Sequence, residues 1–343
     1  MRFDPAVVEG PYLRDILAQP GALADTVAGL RAAPALAECG GFDRIVLTGM
    51  GGSYHALQPL LIRLVEHGYD AAAYETGELI YYYGAVLKPG TLLVAVSQSG
   101  RSAETLRLLD VAGGRVRTIG VTNTPDSPLG ARADYTVLTR AGAEATVSCK
   151  TYVATLAALE WLGGALTGAD RGAVEGELLG AAPAVAAYLE GWQTKVASLV
   201  DLLGGVRAVF LAGRGASMAA AGAGGLILKE AAHFHAEGMT CPAFRHGPLE
   251  MCGPGVFVLV FAGDGRTAEL NEKLARDVRL AGGGAAMAGP RSDVDAFRLP
   301  VVAPGIRPIV EALPAQMISL ALAALAGHEP GKFRLVTKVT TVE

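Results

Sequence analysis

The chain has 343 residues, more than a single hydrophobic core usually serves, so the sequence predicts two domains of ordinary size. Hydrophobic residues make up 51% and charged residues 18%, with 45 glycines, which is typical of a packed protein of alternating strands and helices and excludes long disordered regions. The formal net charge is -4 and no dense run of Lys or Arg is present. This argues against nonspecific nucleic-acid binding and leaves small molecules as the expected partners.

Cysteine usage and apolar segments bear on the cellular compartment. The cysteines, none of them in a CxxC spacing, are Cys39, Cys149, Cys241 and Cys252. We therefore expect a reducing cytoplasm and no disulfide framework. The N-terminal segment has no apolar core and is interrupted by charges, so neither a signal peptide nor a membrane anchor is expected there. The apolar stretch 317–326 predicts only about two or three helical turns, short of the roughly 20 residues that a membrane span needs.

Short apolar runs bounded by turn residues predict the strands of the first half. In chain order they lie at 44–48, 71–74, 92–96, 116–121 and 135–138. Helical patterns follow from the turn after strand 44–48 to about residue 67, over 102–112 and over 150–162. Continuous apolar strands that alternate with helices predict a parallel sheet covered by helices on both faces, a three-layer α/β arrangement.

A glycine turn of the first half recurs in the second half. The pattern G-x-G-x-S follows strand 44–48 at residues 49–53, and it follows strand 208–212 at residues 213–217, which is 164 residues later (213 minus 49). The second turn opens a helix that runs through residue 232. The same offset carries strand 92–96 onto the apolar run 256–260. Two landmarks that share one offset predict two similar α/β domains.

These elements predict a division of the chain into four parts. An N-terminal helical segment covers 1–43, a first domain 44–175, a second domain 176–330, and a C-terminal tail 331–343. Between the domains, 163–180 is rich in small residues and is predicted as a connection. A long helix over about 182–203 then leads into the second domain.

Hydroxyl and amide side chains cluster after the third strand, in the turn Ser97-Gln98-Ser99-Gly100-Arg101-Ser102. In a parallel sheet the ligand crevice lies beyond the carboxyl ends of the strands, where helix N-termini attract anions. Together with Ser53 of the first glycine turn, this segment would hold a phosphate. Ser and Gly are also ordinary capping residues at such a turn. The segment 164 residues later, 261–264, lacks the hydroxyls, so turn formation alone does not require them.

Two other ligand classes are disfavoured, and no metal or cofactor is expected. The Gly49-x-Gly51 turn and Glu75 suggest a dinucleotide site, but Tyr54 stands where that fingerprint needs a third small residue. A metal site could be imagined from four residues: His233, His235, Cys241 and His246. An H-x-H pair on a helix points its rings to different faces, which argues against this site.

Glu230 and His246 are the candidate proton-transfer residues of the second half. A carboxylate and an imidazole are the pair needed to move protons between sugar carbons and the ring oxygen. The residues alone favour a structural ion pair for Glu230 and a loop hydrogen bond for His246 over a catalytic role. Lys338 lies in a β-branched tail, where a lysine is ordinarily a solvated surface residue.

In this order, the motifs at 49–54, 97–100, 229–230, 246–248 and 338–343 resemble the SIS (sugar isomerase) domain family, in particular the isomerase half of glucosamine-6-phosphate synthase. The resemblance implies two tandem SIS domains, a homodimer with shared active sites, and a C-terminal tail, 331–343, that closes the active site. It implies that Glu230 is the base between C1 and C2, that His246 assists ring opening from the neighbouring subunit, and that Lys338 forms an imine with the ketose. The implied substrate-binding residues are Gly51, Gly52, Ser53, Ser97, Gln98, Ser99, Ser102, Ser148 and Thr337.

Departures from the synthase pattern narrow the expected reaction. Ile227 stands in place of a lysine, Gly52 in place of a threonine and Ala243 in place of a glutamate, and a glutaminase domain is not expected. The resemblance therefore implies isomerisation or deamination of an amino-sugar or ketose 6-phosphate, with no use of glutamine, and retention of Lys338 favours this reading. A fructosamine-6-phosphate deglycase and a non-catalytic phosphosugar sensor are the alternatives.

Overall fold

The computed structural model describes residues 4–34, 41–335 and 337–340. Contacts divide the chain into two compact units, each built on one parallel sheet. The sheet-1 unit comprises Gly21–Glu144, Lys150–Gly180 and the described part of Leu335–Glu343. The sheet-2 unit comprises the described part of Met1–Pro20, Ala145–Cys149 and Ala181–Arg334. The predicted boundaries at residues 43, 175 and 330 stay a prediction.

The strands and helices of the described residues are as follows. The strands are β1 (Arg44–Gly49), β2 (Ala71–Glu75), β3 (Thr91–Val96), β4 (Arg117–Thr122), β5 (Tyr135–Leu138), β6 (Ala208–Gly213), β7 (Ala236–Thr240), β8 (Val256–Phe261) and β9 (Gly284–Ala288). The α-helices are α1 (Pro11–Leu17), α2 (Gln19–Arg31), α3 (Gly52–Glu66), α4 (Thr76–Tyr81), α5 (Ala103–Ala112), α6 (Pro128–Arg132), α7 (Lys150–Leu166), α8 (Arg171–Leu179), α9 (Ala181–Leu189), α10 (Trp192–Leu203), α11 (Met218–Ala232), α12 (Cys241–Arg245), α13 (Ala268–Leu280), α14 (Arg307–Glu311) and α15 (Leu313–Ala326).

The first sheet has five parallel strands in the order β2-β1-β3-β4-β5. Every residue of the central strand β3 is buried, and Leu93 of this strand packs in one core with Leu108 and Leu109 of α5. Full burial of a leucine side chain is worth about 1.5–3 kcal/mol, so this apolar strand fixes the position of the loop that follows it. The predicted parallel α/β fold with two helix-flanked sheets is confirmed.

The second sheet repeats the first with one strand fewer, in the order β7-β6-β8-β9. Its helix α11 is rich in Ala and Gly, and a Cβ at Gly225 would meet the backbone nitrogen of Gly238 in β7. The helix therefore lies directly on the sheet, and this close approach fixes the position of its last turn.

The spacing between the repeats changes by one residue along the chain. Arg44 pairs with Thr91 in the first sheet and Ala208 pairs with Val256 in the second, so β1 and β6 are 164 residues apart while β3 and β8 are 165 apart. The counterpart of Ser97 is therefore Ala262, and the predicted match to residue 261 is wrong. The corrected counterpart segment, 262–265, also lacks hydroxyl side chains.

The predicted long helix over 182–203 is wrong, because α9 and α10 are separate helices. Gly191 lies between them with a φ of 64°. This left-handed conformation favours glycine, and it interrupts the helix that the apolar periodicity had predicted to be continuous.

The predicted connection over 163–180 is also helical. Helix α7 continues to Leu166, and α8 follows with Asp170 as its N-cap, accepting a hydrogen bond of 2.7 Å from the Ala173 backbone nitrogen. Gly164 suggested a loop, but it lies inside α7. Glycine is needed there because a Cβ would come within 2.8 Å of Val174. The small residues allow two helices to pack closely.

The apolar stretch near the C-terminus is longer than predicted. Among the described residues, Pro304–Ala326 is the one segment long and apolar enough to cross a membrane, yet 83% of an apolar 18-residue window within it is buried inside the protein. It includes α15, whose Gln316 is buried and exchanges two side-chain hydrogen bonds of 2.8 and 2.9 Å with Gln19. These features are typical of a helix in the core of a folded domain.

Candidate active site

A cavity of about 860 Å³ lies beyond the carboxyl ends of β3, β4 and β5, within the sheet-1 unit. Polar and charged residues from four segments line it, among them Gln98, Ser99, Arg101, Asn123, Glu144 and Lys338. Parallel strands end at one edge of a sheet, so the loops that follow them meet there. The structure thus places three of the predicted site residues, Gln98, Ser99 and Lys338, around one cavity.

The loop after β3 is held in shape by its own serines. The Ser97 hydroxyl accepts a hydrogen bond of 3.1 Å from the Gly100 backbone nitrogen, and Ser99 accepts one of 3.2 Å from the Arg101 nitrogen. Gly100 has a φ of 61°, and a Cβ there would overlap the hydroxyl of Ser127. The loop is therefore a built turn, and each serine keeps its hydroxyl hydrogen for donation to a ligand.

Ser102 caps the helix that follows this loop. Its hydroxyl accepts a hydrogen bond of 3.3 Å from the Thr105 backbone nitrogen and lies 2.8 Å from the Thr105 hydroxyl. Capping explains this serine without a ligand, and its predicted role in substrate binding stays a prediction. The first residue of α5, Ala103, donates its backbone N–H to the Thr340 carbonyl at 3.1 Å, which fastens the tail to this helix.

Asn123, which the sequence analysis did not single out, shapes the opposite wall of the cavity. Its amide nitrogen donates to the Gly142 carbonyl at 2.8 Å. Its side-chain oxygen accepts from the Thr139 hydroxyl at 3.0 Å and from the Ala141 backbone nitrogen at 2.8 Å. One amide therefore ties the loop after β4 to the loop after β5.

Glu144 pairs with the tail lysine at the cavity wall. The carboxylate is fully buried, and its Oε2 lies 2.9 Å from Lys338 Nζ, whose side chain is 23% exposed. The same carboxylate accepts from the Thr151 hydroxyl at 2.6 Å and from the Thr151 backbone nitrogen at 3.1 Å. Lys338 is therefore not the solvated surface residue that a lysine in a tail ordinarily is. Its partner was missed because the two residues are 194 positions apart and Glu144 lies in a loop without periodic pattern.

Other predicted binding residues of this unit lie outside the lining of the cavity. Gly51 is the N-cap of α3 in the turn after β1, and Gly52 is the first residue of that helix. The Ser53 backbone nitrogen donates to the Met50 carbonyl at 3.0 Å. Thr337 is exposed, and its hydroxyl donates to the Val339 carbonyl at 2.8 Å. The roles of these residues stay predictions. Tail positions 336 and 341–343 fall outside the described residues.

Glu230, His246 and Ser148 belong to the sheet-2 unit. Glu230 lies half-buried in the last turn of α11, next to Lys229, which pairs with Glu237 at 3.3 Å. His246 directly follows the short helix α12 and is exposed, while Ser148 is half-buried. Their predicted catalytic and binding roles are not tested by this geometry.

A carboxylate of the protein lies beyond the carboxyl end of β6 in the second sheet. Glu311 is buried and accepts a hydrogen bond of 3.0 Å from Ser217, the counterpart of Ser53 in the repeat. Burial raises the pKa of Glu311 to about 7, opposed mainly by the charge of Arg307. A carboxylate at this position would repel a phosphate, so the first sheet is the better site for an anion.

The histidines and cysteines show no metal-binding geometry. His233 ends α11 with a φ of 49°, so the expectation of an H-x-H pair on one helix is wrong; its ring stacks on His328 at 5.0 Å. Within the described ranges, no three His, Cys, Asp or Glu residues cluster closely enough to hold a metal. Cys149, Cys241 and Cys252 form no disulfide bond with one another, and Cys39 falls outside the described residues.

Comparison with known proteins identifies the family. The sequence profile of the SIS domain matches residues 42–163 and 203–287, the regions that carry the two sheets. The chain belongs to the SIS domain family. The resemblance inferred from its motifs is thereby confirmed.

Curated relatives of this SIS protein include two archaeal enzymes named glutamine–fructose-6-phosphate aminotransferase (isomerizing). The one from Pyrococcus horikoshii is 34% identical over 346 residues, covering 96% of this chain and 57% of the relative. The one from Thermococcus kodakarensis is 30% identical, with coverage of 96% and 58%. The chain thus spans somewhat more than half the length of these relatives.

Solved structures show the same fold. The C-terminal domain of glucosamine-fructose-6-phosphate aminotransferase from Francisella tularensis matches with a TM-score of 0.85 at 21% identity, covering 96% of this chain and 99% of that one. Glucosamine-6-phosphate deaminase from Thermotoga maritima matches with a TM-score of 0.78 at 18% identity, covering 97% and 100%. At these identities the likeness is one of fold.

Proposed function

We propose that this SIS protein is a sugar-phosphate enzyme that isomerises or deaminates an amino-sugar or ketose 6-phosphate. The observation that carries the proposal is the cavity in which Gln98 and Ser99 of the loop after β3 face the same space as Lys338. Hydroxyl and amide donors suit a phosphate, and an amine suits a sugar carbonyl. The names of the relatives support a sugar 6-phosphate as the substrate.

The phosphate is proposed to bind at the loop after β3. Ser97, Gln98 and Ser99 offer donors beside the N-terminus of α5, where the helix dipole favours an anion. Arg101 contributes a positive charge at the rim of the cavity, with one guanidinium nitrogen held 2.9 Å from the Asp126 carbonyl. This placement leaves the carbonyl end of the open sugar toward Lys338.

The proposed chemistry divides the proton transfers between two residues. Glu230 removes a proton from C1 of the open-chain ketose and the proton returns to C2, which moves the carbonyl to C1. In the deamination of a 2-amino aldose, the proton moves from C2 to C1, water adds to the resulting C2 imine, and ammonia leaves. His246 protonates the ring oxygen on opening. We propose that it comes from a second subunit of a homodimer, consistent with its exposure.

Glutamine is not the proposed nitrogen donor. Ile227, which stands where the synthase pattern has a lysine one turn before Glu230, is buried among apolar residues and carries no polar group. The deaminase direction is supported by the fold shared with a glucosamine-6-phosphate deaminase.

A turnover assay with a matched variant tests the proposal. Glucosamine 6-phosphate and fructose 6-phosphate are incubated separately with the protein, the sugar-phosphate product of each is followed by NMR, and ammonia is measured in both reactions. Glu230→Gln should lose turnover by at least about 100-fold while the dissociation constant of the sugar phosphate changes little. Glu237→Gln, on the same unit, should retain activity.

The outcomes distinguish the alternatives. Ammonia release from glucosamine 6-phosphate identifies the deaminase, and conversion of fructose 6-phosphate to an aldohexose 6-phosphate without any ammonia identifies the isomerase. Turnover of a fructosamine 6-phosphate alone would identify the deglycase. Tight binding of a sugar phosphate without turnover of any of them would contradict the enzyme and favour a phosphosugar sensor.

A further inference from the structure

We propose that Glu144 is a positioning residue for Lys338, holding the tail amine at the cavity wall where the sugar carbonyl arrives. The inference rests on the proposed imine-forming role of Lys338. Both residues line the cavity, and the carboxylate oxygen lies 2.9 Å from Nζ. Glu144 itself need not touch the substrate.

The carboxylate is fixed independently of the tail. Thr151, in the first turn of α7, donates its backbone N–H to Oε1 at 3.1 Å and its hydroxyl to Oε2 at 2.6 Å. The positive end of the helix dipole stabilises an anion at this position. Glu144 is therefore anchored by a helix of the folded unit, and Oε2 defines one point in space for an ammonium group.

The tail is fastened at two points. The Thr340 carbonyl accepts from Ala103 at the start of α5, at 3.1 Å. Lys338 is held by Glu144, which is itself bonded to Thr151 in the first turn of α7. Helix α5 follows β3 and α7 follows β5, so the tail joins the two loops that flank the cavity. A flexible lysine side chain has many rotamers, and the ion pair selects one of them before substrate binds.

The step that this positioning serves is the formation of an imine. Lys338 Nζ loses one proton to solvent and attacks C2 of the open-chain ketose phosphate. The carbonyl oxygen then leaves as water with the two remaining hydrogens of the amine. Borohydride then delivers a hydride to the C=N carbon and a proton is taken from water, giving a stable secondary amine. The protein gains the mass of the ketose phosphate less one oxygen atom, which mass spectrometry detects at Lys338.

The experiment compares the rate of this reductive trapping in full-length variants with fructose 6-phosphate. Glu144→Gln keeps the shape and the Oε1 acceptor but replaces Oε2 with an amide nitrogen, which cannot accept from the ammonium. We expect trapping and kcat to fall by on the order of 10-fold to 100-fold, while KM changes by less than about 2-fold because the phosphate loop is intact. Glu144→Asp restores the charge and should recover part of the rate.

Glu160→Gln is the matched control. Glu160 is a largely buried carboxylate of α7 paired with Arg63 at 2.7 Å, so its loss removes an ion pair of the same unit away from the cavity. It should lower the melting temperature without slowing trapping, which separates positioning from general stability. If Glu144→Gln does not fold, Glu144→Asp carries the test, because a charge set back by one methylene should slow trapping measurably.

Each outcome decides something different. Trapping at the wild-type rate in Glu144→Gln, or in Glu144→Asp where that variant carries the test, would overturn the positioning role and leave the proposed function standing. Wild-type turnover without any adduct at Lys338 would overturn both the imine and the positioning role. Absence of binding and turnover in the wild type would overturn the proposed function itself.

Discussion

Gly100→Ala perturbs the loop after β3 at the point where its backbone is most constrained. Gly100 has a φ of 61°, in the left-handed region. Placing a residue with a side chain in this conformation costs about 1–2 kcal/mol of folding free energy. The new Cβ would also overlap the Ser127 hydroxyl, which caps α6 by accepting from the Gly130 nitrogen at 3.1 Å. Loss of a cap costs about 1 kcal/mol, so the total expected destabilisation is roughly 2–3 kcal/mol.

Gly114→Ala is the matched control for this prediction. Its φ is 71°, yet nothing lies within 4 Å of a Cβ built there, so only the backbone cost of about 1–2 kcal/mol applies. Urea unfolding should show the larger loss for Gly100→Ala, and calorimetry should show weakened binding of fructose 6-phosphate for that variant alone. Equal stability losses would refute the steric argument, and unchanged affinity would refute the phosphate site.

Three further substitutions test the N-cap of α5 and the buried Glu311 of the sheet-2 unit. Ser102→Ala removes the N-cap of α5, and Asp170→Ala removes the N-cap of α8, so each should cost about 1 kcal/mol of stability. Only Ser102→Ala should weaken sugar-phosphate binding. Equal affinities in the two variants would show that Ser102 acts only as a helix cap. Glu311 has its pKa raised to about 7 by burial, so the folded protein binds its proton more tightly than the unfolded chain. Stability should therefore fall as pH rises from about 4.5 to about 7. Glu311→Gln should flatten that slope in urea titrations, and an unchanged slope would contradict the assignment.

The sequence predicted the first sheet because its strands are continuous apolar runs. All residues of β3 are buried, so burial alone dictates their composition, and the polar turn that follows is conspicuous against them. The G-x-G-x-S repeat likewise predicted the second sheet. Lys338 was named as a site residue only through the family resemblance, since a lysine in a tail carries no local signal.

The errors arose where packing overrides local pattern. A glycine such as Gly164 is typical of a loop, but this one lies inside α7. It is a glycine because Val174 leaves no room for a Cβ. Gly191 has the opposite effect, since its left-handed backbone divides an apolar run into two helices. The pairing of Glu144 with Lys338 spans 194 positions and depends on two loops meeting at one sheet edge. Periodicity cannot predict such a contact.

The most direct test of the account is a crystal structure of the protein with fructose 6-phosphate bound. We expect the phosphate to accept hydrogen bonds from the loop of Ser97, Gln98 and Ser99, with C2 of the sugar facing Lys338. A sugar phosphate seated elsewhere, with Ser99 and Lys338 both out of contact, would contradict the proposed site.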